Sequence, residues 1–153
     1  MSSRQRYFYF SEIDTETLVN NIIILDIDGT IVADGSDNVS SEVKTKLEKL
    51  VNTNSVFLLS NKKNHERNKK IADMVGAKYI ETDIRKPSYK IIKLIENFNS
   101  QKVVVVGDKF LTDGLFSKNI KASFIKINHL TAPHESLFTR LSYWFDSLFF
   151  WIV

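Results

Sequence analysis

The chain has 153 residues, of which 43% are hydrophobic, so it can bury a sizeable core and is expected to form a single domain over 1–153. It contains no cysteine, which excludes disulfides, thiolate metal sites and catalysis by a cysteine nucleophile. The 21 lysine and arginine residues and 18 acidic residues give a net charge of +3, without a compact basic stripe, so nucleic acid is not expected as a partner.

The N-terminal segment, MSSRQRYFYFSEID, lacks the continuous apolar stretch of a secretory signal. No run elsewhere approaches the ~18 apolar residues of a membrane span. We therefore expect a cytoplasmic protein. Within this segment, RYFYF (6–10) is interpreted either as a short edge strand or as a strap packed on the core.

Five apolar runs rich in β-branched residues recur along the chain, at 22–26, 55–59, 77–80, 102–108 and 123–127. Amphipathic segments separate them. Near-continuous apolar strands that alternate with helices are typical of a parallel sheet covered on both faces. The sequence therefore predicts an α/β fold of three layers, Rossmann-like, with a five-stranded parallel sheet.

Four helices are predicted between the strands, over 41–51, over 64–75, from Pro87 onward and over about 110–118. Residues at helical spacing are expected to face the core: Val43, Leu47, Leu50 and Val51 in the first helix, Ile71, Met74 and Val75 in the second, and Ile91, Leu94, Ile95 and Phe98 in the third. Ser40 or Ser41 can cap the first helix, and Gly76 is expected to end the second.

Two segments have an unusual composition. The basic stretch NKKNHERNKK (61–70) is interpreted as the solvated face of a helix, with a phosphate-attracting rim as the alternative. The tail 137–153 has seven aromatic residues in seventeen. It is predicted to be a last helix docked on the sheet, and the alternatives are an interfacial anchor or a dimer surface, so peripheral membrane contact and a homo-oligomer both stay open.

The stretch IIILDIDGTIV (22–32) ends a buried strand on two aspartates, Asp26 and Asp28. Carboxylates about 4 Å apart repel by roughly 4 kcal/mol at an effective dielectric near 20, so the pair needs a cation or a chemical task. A lone D-x-D is weak, because acidic residues after a strand commonly form turns.

Other polar residues follow the remaining strands or open the third helix: Thr30, Ser60, Asn61, Lys86, Asp108 and Asp113. Taken singly, Ser60 is a loop serine or a cap and Lys86 a solvated lysine. Parallel sheets bind ligands beyond the carboxyl ends of their strands, so all of these groups are expected to converge on one rim. Four strand ends that each offer a group used in phosphoryl transfer indicate a shared site.

Four motifs carry a resemblance to a known family: DIDGT (26–30), LLSN (58–61), RKP (85–87) and GDKFLTD (107–113). They resemble the motifs of the haloacid dehalogenase (HAD) superfamily. From about Tyr7 to Arg140 the chain is similar to the cap-less subfamily IIIA phosphatases related to phosphatidylglycerophosphatases. The gaps Val32–Ser55 and Asn61–Lys86 leave no room for a cap domain.

The resemblance implies roles for the site residues. Asp26 would be the nucleophile that forms an aspartyl-phosphate, Asp28 would be the general acid and base, and Lys86 would neutralise charge. Thr30, Ser60 and Asn61 would bind the substrate phosphate together with Lys86.

A bound Mg²⁺ is also implied. Its ligands would be Asp26, the backbone carbonyl of Asp28 and Asp108, with Asp113 as a further ligand or an orienting partner. His65, His129 and His134 share no metal-binding spacing and are predicted to be surface or loop residues without a role.

The expected function is that of a Mg²⁺-dependent phosphomonoesterase. An open site suits a large substrate, such as phosphatidylglycerophosphate or another large or membrane-borne phosphate. A sugar phosphate or a nucleic-acid 3′-phosphate is the alternative substrate, and a catalytically silent binding module is the alternative class.

Overall fold

The computed structural model describes residues 9–132 and 137–152. The strands are β1 (Asn21–Leu25), β2 (Ser55–Leu58), β3 (Lys78–Tyr79), β4 (Lys102–Gly107) and β5 (Ser123–Lys126). The helices are α1 (Ser41–Thr53), α2 (His65–Val75), α3 (Leu115–Asn119) and α4 (Leu137–Ile152). Short segments of 3₁₀ or π geometry lie at Phe10–Glu12, Tyr89–Leu94, Phe98–Ser100 and Phe110–Gly114.

The five strands form one parallel sheet in the order β3-β2-β1-β4-β5, which confirms the predicted fold class. All five residues of β1 are buried, because this strand lies at the centre between β2 and β4. In the register, Ile23 of β1 lies beside Val56 on one side and Val104 on the other. The strand order reverses at β1, and in parallel sheets this reversal opens a crevice at the carboxyl ends of the strands.

Successive residues of β1 point to opposite faces of the sheet, so each face has its own core. Ile23 and Leu25 belong to one cluster, which includes side chains of α1 and α2. Ile22 and Ile24 belong to the second cluster, which includes Phe116 of α3. The sheet and the elements packed on its two faces are the three predicted layers, and one core cluster lies between the sheet and each outer layer.

The connections between strands are short. Between β1 and β2 the chain forms a loop and α1, and between β2 and β4 it forms α2, β3 and short turns. The described chain from 9 to 132 therefore contains no cap domain.

The first two predicted helices are confirmed together with their ends. The Ser40 hydroxyl accepts a hydrogen bond from the Val43 N–H at 3.3 Å, which caps α1. Gly76 ends α2 in the left-handed conformation, with φ of +72°. Met74 was expected to face the core but is 41% exposed, because it lies on the outer side of α2.

The prediction of a third α-helix opening at Pro87 is wrong. The chain forms a 3₁₀ turn over Tyr89–Leu94 after Ser88, whose hydroxyl accepts from the Lys90 N–H. The chain then becomes extended at Ile95, so Ile91 and Ile95 reach the core while Leu94 is 47% exposed. The fourth predicted helix is divided into the turn Phe110–Gly114 and the short α3.

The N-terminal segment is described only in part, whereas most of the C-terminal tail is described. Of the RYFYF segment, residues 6–8 lie outside the described residues, and Phe10 is buried at the start of a 3₁₀ turn as a packing strap would be. The tail forms α4, as predicted. Among the described residues, no helix is long and apolar enough to cross a membrane.

Candidate active site

The carboxyl ends of β1, β2 and β4 surround one pocket. Six predicted site residues line it: Asp26, Asp28, Ser60, Asn61, Lys86 and Asp108. Thr30 and Asp113 are almost fully buried and do not line the pocket. The structure therefore brings the predicted residues together at the edge where the strand order placed them.

Lys86 joins two of the carboxylates. Its Nζ lies 2.5 Å from Asp26 Oδ1 and 2.5 Å from Asp113 Oδ1, and it also donates to the Leu59 carbonyl oxygen at 3.2 Å. Burial alone would lower the pKa of Lys86, but the carboxylates of Asp113 and Asp26 outweigh it and hold this pKa above its usual value. Lys86 is thus a permanent cation beneath the pocket, not a solvated lysine.

Three carboxylates share this buried edge. Oxygens of Asp26, Asp108 and Asp113 lie within 4.8 Å of one another. Burial raises the pKa of Asp26 to about 8, with repulsion from Asp113 and Asp108 adding to the rise and Lys86 opposing it. Burial likewise raises the pKa of Asp113. One lysine does not neutralise three carboxylates, so the cluster has room for further positive charge.

Asp108 has one oxygen without a partner. Its Oδ1 is buried and accepts no hydrogen bond in the described part of the chain. Its Oδ2 accepts from the Tyr143 hydroxyl at 2.6 Å and lies 2.8 Å from His129 Nδ1. A buried carboxylate oxygen without a hydrogen-bond partner costs folding free energy. We therefore expect Oδ1 of Asp108 to bind a cation.

Asp28 is held on the other side of the pocket. Its carboxylate accepts hydrogen bonds from Arg67 at 2.9 and 3.2 Å, from the Ser60 hydroxyl at 3.2 Å and from the Gly35 N–H at 3.0 Å. Burial alone would raise the pKa of Asp28, but the bonds from Arg67 and Gly35 outweigh it and lower this pKa. The carboxylate of Asp28 is not part of the acidic cluster, and metal contact through its backbone carbonyl stays a prediction.

The residues expected to bind phosphate have protein partners. Asn61 accepts from the Lys86 N–H at 2.7 Å and donates to the Lys86 carbonyl at 3.1 Å, so its amide holds the backbone of the lysine. Ser60 accepts from the Lys62 N–H at 3.0 Å. Thr30 Oγ1 lies 3.5 Å from Asp26 Oδ2. Phosphate binding by these three residues stays a prediction.

His129 lies in a loop, as expected, but it was expected to have no role and instead contacts a carboxylate of the site. Its side chain is only 11% exposed, it contacts Asp108, and its ring stacks on that of Tyr143 with centroids 3.8 Å apart. Burial and the nearby Asp108 carboxylate raise the pKa of Tyr143, so its hydroxyl stays protonated and donates. His65 contacts the Tyr79 hydroxyl at 2.7 Å, away from the pocket, and His134 lies outside the described residues.

The C-terminal helix α4 is fastened beside the site by an acidic side chain. Asp146 is buried and accepts from the N–H groups of Phe110 and Leu111 at 2.9 and 2.7 Å. It also pairs with Lys126 at 3.0 Å. Helix α4 was predicted to dock on the sheet, and its described residues instead contact the turn that carries Asp113 and reach the sheet at Lys126 of β5.

The basic stretch 61–70 has two kinds of residue. Lys63, Lys69 and Lys70 are exposed and pair with surface carboxylates, as the interpretation of a solvated face predicts. Arg67 is different, because its side chain is 11% exposed and binds Asp28. Its position one turn into the helix that follows the LLSN motif is the signal that could have revealed it.

A family model described as mitochondrial PGP phosphatase matches residues 10–130, a region that holds every predicted site residue and ends before α4. No curated protein and no solved structure matches the chain. Together, the fold and this match define a HAD-like phosphatase, a phosphoric monoester hydrolase. More particularly, the chain belongs to the mitochondrial PGP phosphatase family.

Proposed function

We propose that this phosphatase hydrolyses a membrane-borne phosphate monoester of the phosphatidylglycerophosphate class, with Mg²⁺ and an aspartyl-phosphate on Asp26. The observation that carries the proposal is the buried acidic cluster of Asp26, Asp108 and Asp113, bridged by Lys86 under an open pocket. The description of the matched family supports the choice of substrate.

The acidic cluster fits a hard divalent cation. Mg²⁺ prefers oxygen ligands and is commonly held by one or two carboxylates together with substrate phosphate. Asp26, Asp108 with its unpartnered Oδ1, and Asp113 would hold it. When bound, the ion supplies charge neutralisation at the transferring phosphoryl group.

Asp26 and Lys86 would perform the transfer. An Asp26 carboxylate oxygen forms a bond to phosphorus while the bond from phosphorus to the leaving alkoxide oxygen breaks. Lys86, which contacts Asp26 at 2.5 Å, stabilises the negative charge on the nucleophile and on the transferring group. In the second step, water attacks phosphorus and the Asp26–phosphorus bond breaks, which regenerates the carboxylate.

Asp28 would handle the protons of both steps. It gives a proton to the leaving oxygen in the first step and takes one from the attacking water in the second. Because Arg67 stabilises the ionised carboxylate, the observed arrangement is set for the second step. Protonation of the leaving oxygen requires a protonated Asp28. The hydrogen bonds from Arg67 favour the ionised form of Asp28, so they limit the first step.

Replacement of Arg67 tests this control. We expect Arg67→Gln to lower kcat/KM by about tenfold, because Asp28 loses its positioning. Since Arg67 no longer holds the pKa of Asp28 down, the acid form persists to higher pH and the alkaline limb of the pH–rate profile moves upward. Lys69→Gln, an exposed cation on the same helix, is the matched control. A pH profile unchanged by Arg67→Gln would contradict the role.

The open pocket supports a large substrate. No cap domain covers the strand ends in the described chain from 9 to 132. Lys109 lines the pocket, and Lys62 lines it in an ion pair with Asp34, so an anionic head group would meet the Lys109 ammonium. The bulk of a lipid would stay outside the pocket.

A panel of phosphate monoesters tests the proposed substrate class. Phosphate release is measured from phosphatidylglycerophosphate in vesicles, from glycerol 3-phosphate, from a sugar phosphate and from a nucleic-acid 3′-phosphate, each with Mg²⁺ and with EDTA. We expect the lipid to be preferred and EDTA to abolish release. Preference for the sugar or the nucleic acid would assign the alternative substrates, and silence across the panel would favour a binding module.

Mg²⁺ is expected to raise the melting temperature of the wild type. At about 100 times Kd, a ligand stabilises by about 2.7 kcal/mol, or roughly 5–10 °C for a chain of this size. Asp108→Asn should lose most of this rise, because the substitution removes the carboxylate whose Oδ1 has no hydrogen-bond partner. Asp37→Asn, an exposed carboxylate paired with Lys70, should keep it. The measurement is thermal unfolding with and without Mg²⁺, and an unchanged response in Asp108→Asn would count against the site.

The same measurement should depend on pH. Because the folded protein holds Asp26 at a pKa of about 8, above its unfolded value, the metal-free protein binds more protons when folded and loses stability as pH rises toward 8. Mg²⁺ competes with the proton for the carboxylate. The gain from Mg²⁺ should therefore be larger at pH 8 than at pH 6, and Asp26→Asn should reduce this difference, with Asp113 responsible for the remainder.

A further inference from the structure

Helix α4 has its polar and apolar sides reversed relative to an ordinary surface helix. Its side toward the protein carries Tyr143 and Asp146, which bind Asp108 and the turn at Phe110. Six apolar side chains of α4 are instead 42–76% exposed: Leu137, Leu141, Trp144, Phe145, Leu148 and Phe149. Surface helices normally bury the apolar side, so this exposed face requires a partner.

The exposed residues form one continuous stripe. At about 100° per residue they fall within a sector roughly 140° wide, and Tyr143 and Asp146 lie on the opposite side. We call these six residues the apolar stripe. Because the docked side is fixed by hydrogen bonds to the active-site loops, the stripe faces away from the protein while the helix borders the pocket.

We propose that the apolar stripe of α4 lies in the surface of an anionic lipid bilayer and thereby holds the pocket at the membrane. The inference rests on the proposed function, since a membrane-borne phosphate monoester is the substrate that such a surface presents. Trp, Phe and Leu on one face of a helix with few charges are typical of helices that lie in the bilayer interface.

The charges beside the stripe fit an anionic surface. Arg140 is exposed on α4, whereas the helix's acidic residue, Asp146, is buried. Lys109 lines the pocket beside α4, with its Nζ 4.4 Å from the centre of the Tyr143 ring. Cations next to a membrane-facing segment are attracted by anionic lipids.

A second copy of the chain is a weaker fit. A helix of 16 residues is about 24 Å long and about 10 Å wide, so a helix-to-helix contact offers a few hundred Å² for each partner. A stable dimer interface needs about 800 Å² for each partner. A bilayer can cover the whole stripe without a matching protein surface.

The two tryptophans of the chain, Trp144 and Trp151, both fall within α4, so the unmodified protein reports on this helix. With vesicles of equal phosphatidylglycerol and phosphatidylcholine, we expect the protein to sediment and its tryptophan emission to shift to shorter wavelength. Phosphatidylcholine alone should bind at least tenfold less. No shift and no sedimentation with the anionic vesicles would overturn the proposal.

A double variant, Leu141→Ser with Phe145→Ser, should lower partition to anionic vesicles by at least tenfold. Met74→Ser with Leu94→Ser, which changes two exposed apolar residues away from α4, is the matched control and should bind like the wild type. Both variants should hydrolyse a soluble aryl phosphate at the wild-type rate, which shows that the site is intact. Unchanged vesicle binding by the α4 variant would contradict the proposal.

Two outcomes separate this inference from the proposed function. If the protein binds vesicles through the apolar stripe but releases phosphate from no substrate of the panel, the inference is supported and the proposed function is wrong. If the protein hydrolyses the lipid phosphate but its vesicle binding does not depend on the stripe, the proposed function is supported and the inference is wrong. A wild type that is dimeric in ultracentrifugation, becomes monomeric in the α4 variant and binds no vesicles would assign the stripe to a second copy and overturn the inference.

Discussion

Asp26→Asn should abolish phosphate release, with a loss of at least about a thousandfold in kcat, because the amide cannot take and release a phosphoryl group. The fold should not suffer. The variant removes one carboxyl from a buried cluster that holds an excess of them, and Lys86 keeps its contact with Asp113. We therefore expect the melting temperature in EDTA to stay level or rise while activity disappears.

Two measurements check this expectation. Acid-quenched wild type mixed with substrate should yield a phosphate adduct on the peptide that carries Asp26, and the variant should yield none. Asp37→Asn, which changes an exposed carboxylate paired with Lys70, should keep wild-type turnover. If Asp26→Asn retained more than about a tenth of the activity, the nucleophile would have to be another residue.

Lys86→Met should cost stability as well as activity. The lysine is 2% exposed and contacts Asp26 and Asp113, so its loss leaves buried carboxylates without their cation. Breaking such a buried pair costs about 3–5 kcal/mol, or on the order of 10 °C in melting temperature. The loss should be smaller at low pH, where the carboxyls become protonated, and smaller with Mg²⁺, which replaces part of the missing charge.

The exposed pair of Lys63 and Asp83 provides the comparison. Their charged groups lie 2.8 Å apart, close to the Lys86 distances, but both side chains are more than half exposed. Lys63→Met should leave the melting temperature unchanged, because water screens the pair. Similar losses in the two variants would mean that the Lys86 bridge does not stabilise the folded chain.

The sheet was predictable because its central strands are buried on both faces. The runs around Ile23 and Val104 read as continuous apolar segments, and parallel order follows from the helices between them. The strand ends then placed Asp26, Lys86 and Asp108 on one edge. The failures at Met74 and Leu94 have a local cause, since a periodic pattern cannot tell where a helix or a turn stops facing the core.

Other parts of the site depend on how distant segments return to the pocket. Arg67 lies 39 positions after Asp28, in a basic stretch whose lysines are exposed. His129 and Tyr143 reach Asp108 from a loop and from the last helix, across 21 and 35 positions. No spacing rule connects His129 and Tyr143 with Asp108, so only the folded chain shows that they surround this carboxylate.

Gly29 adds a constraint on how this site could change. It has φ of +80°, and a Cβ placed there would collide with Asp108 Oδ2 and with the His129 ring. A side chain at position 29 and an imidazole seated on Asp108 therefore exclude each other. Removing the imidazole would not make position 29 tolerant, because the collision with Asp108 Oδ2 and the left-handed backbone would both remain, so a glycine at 29 is tied to the carboxylate at 108.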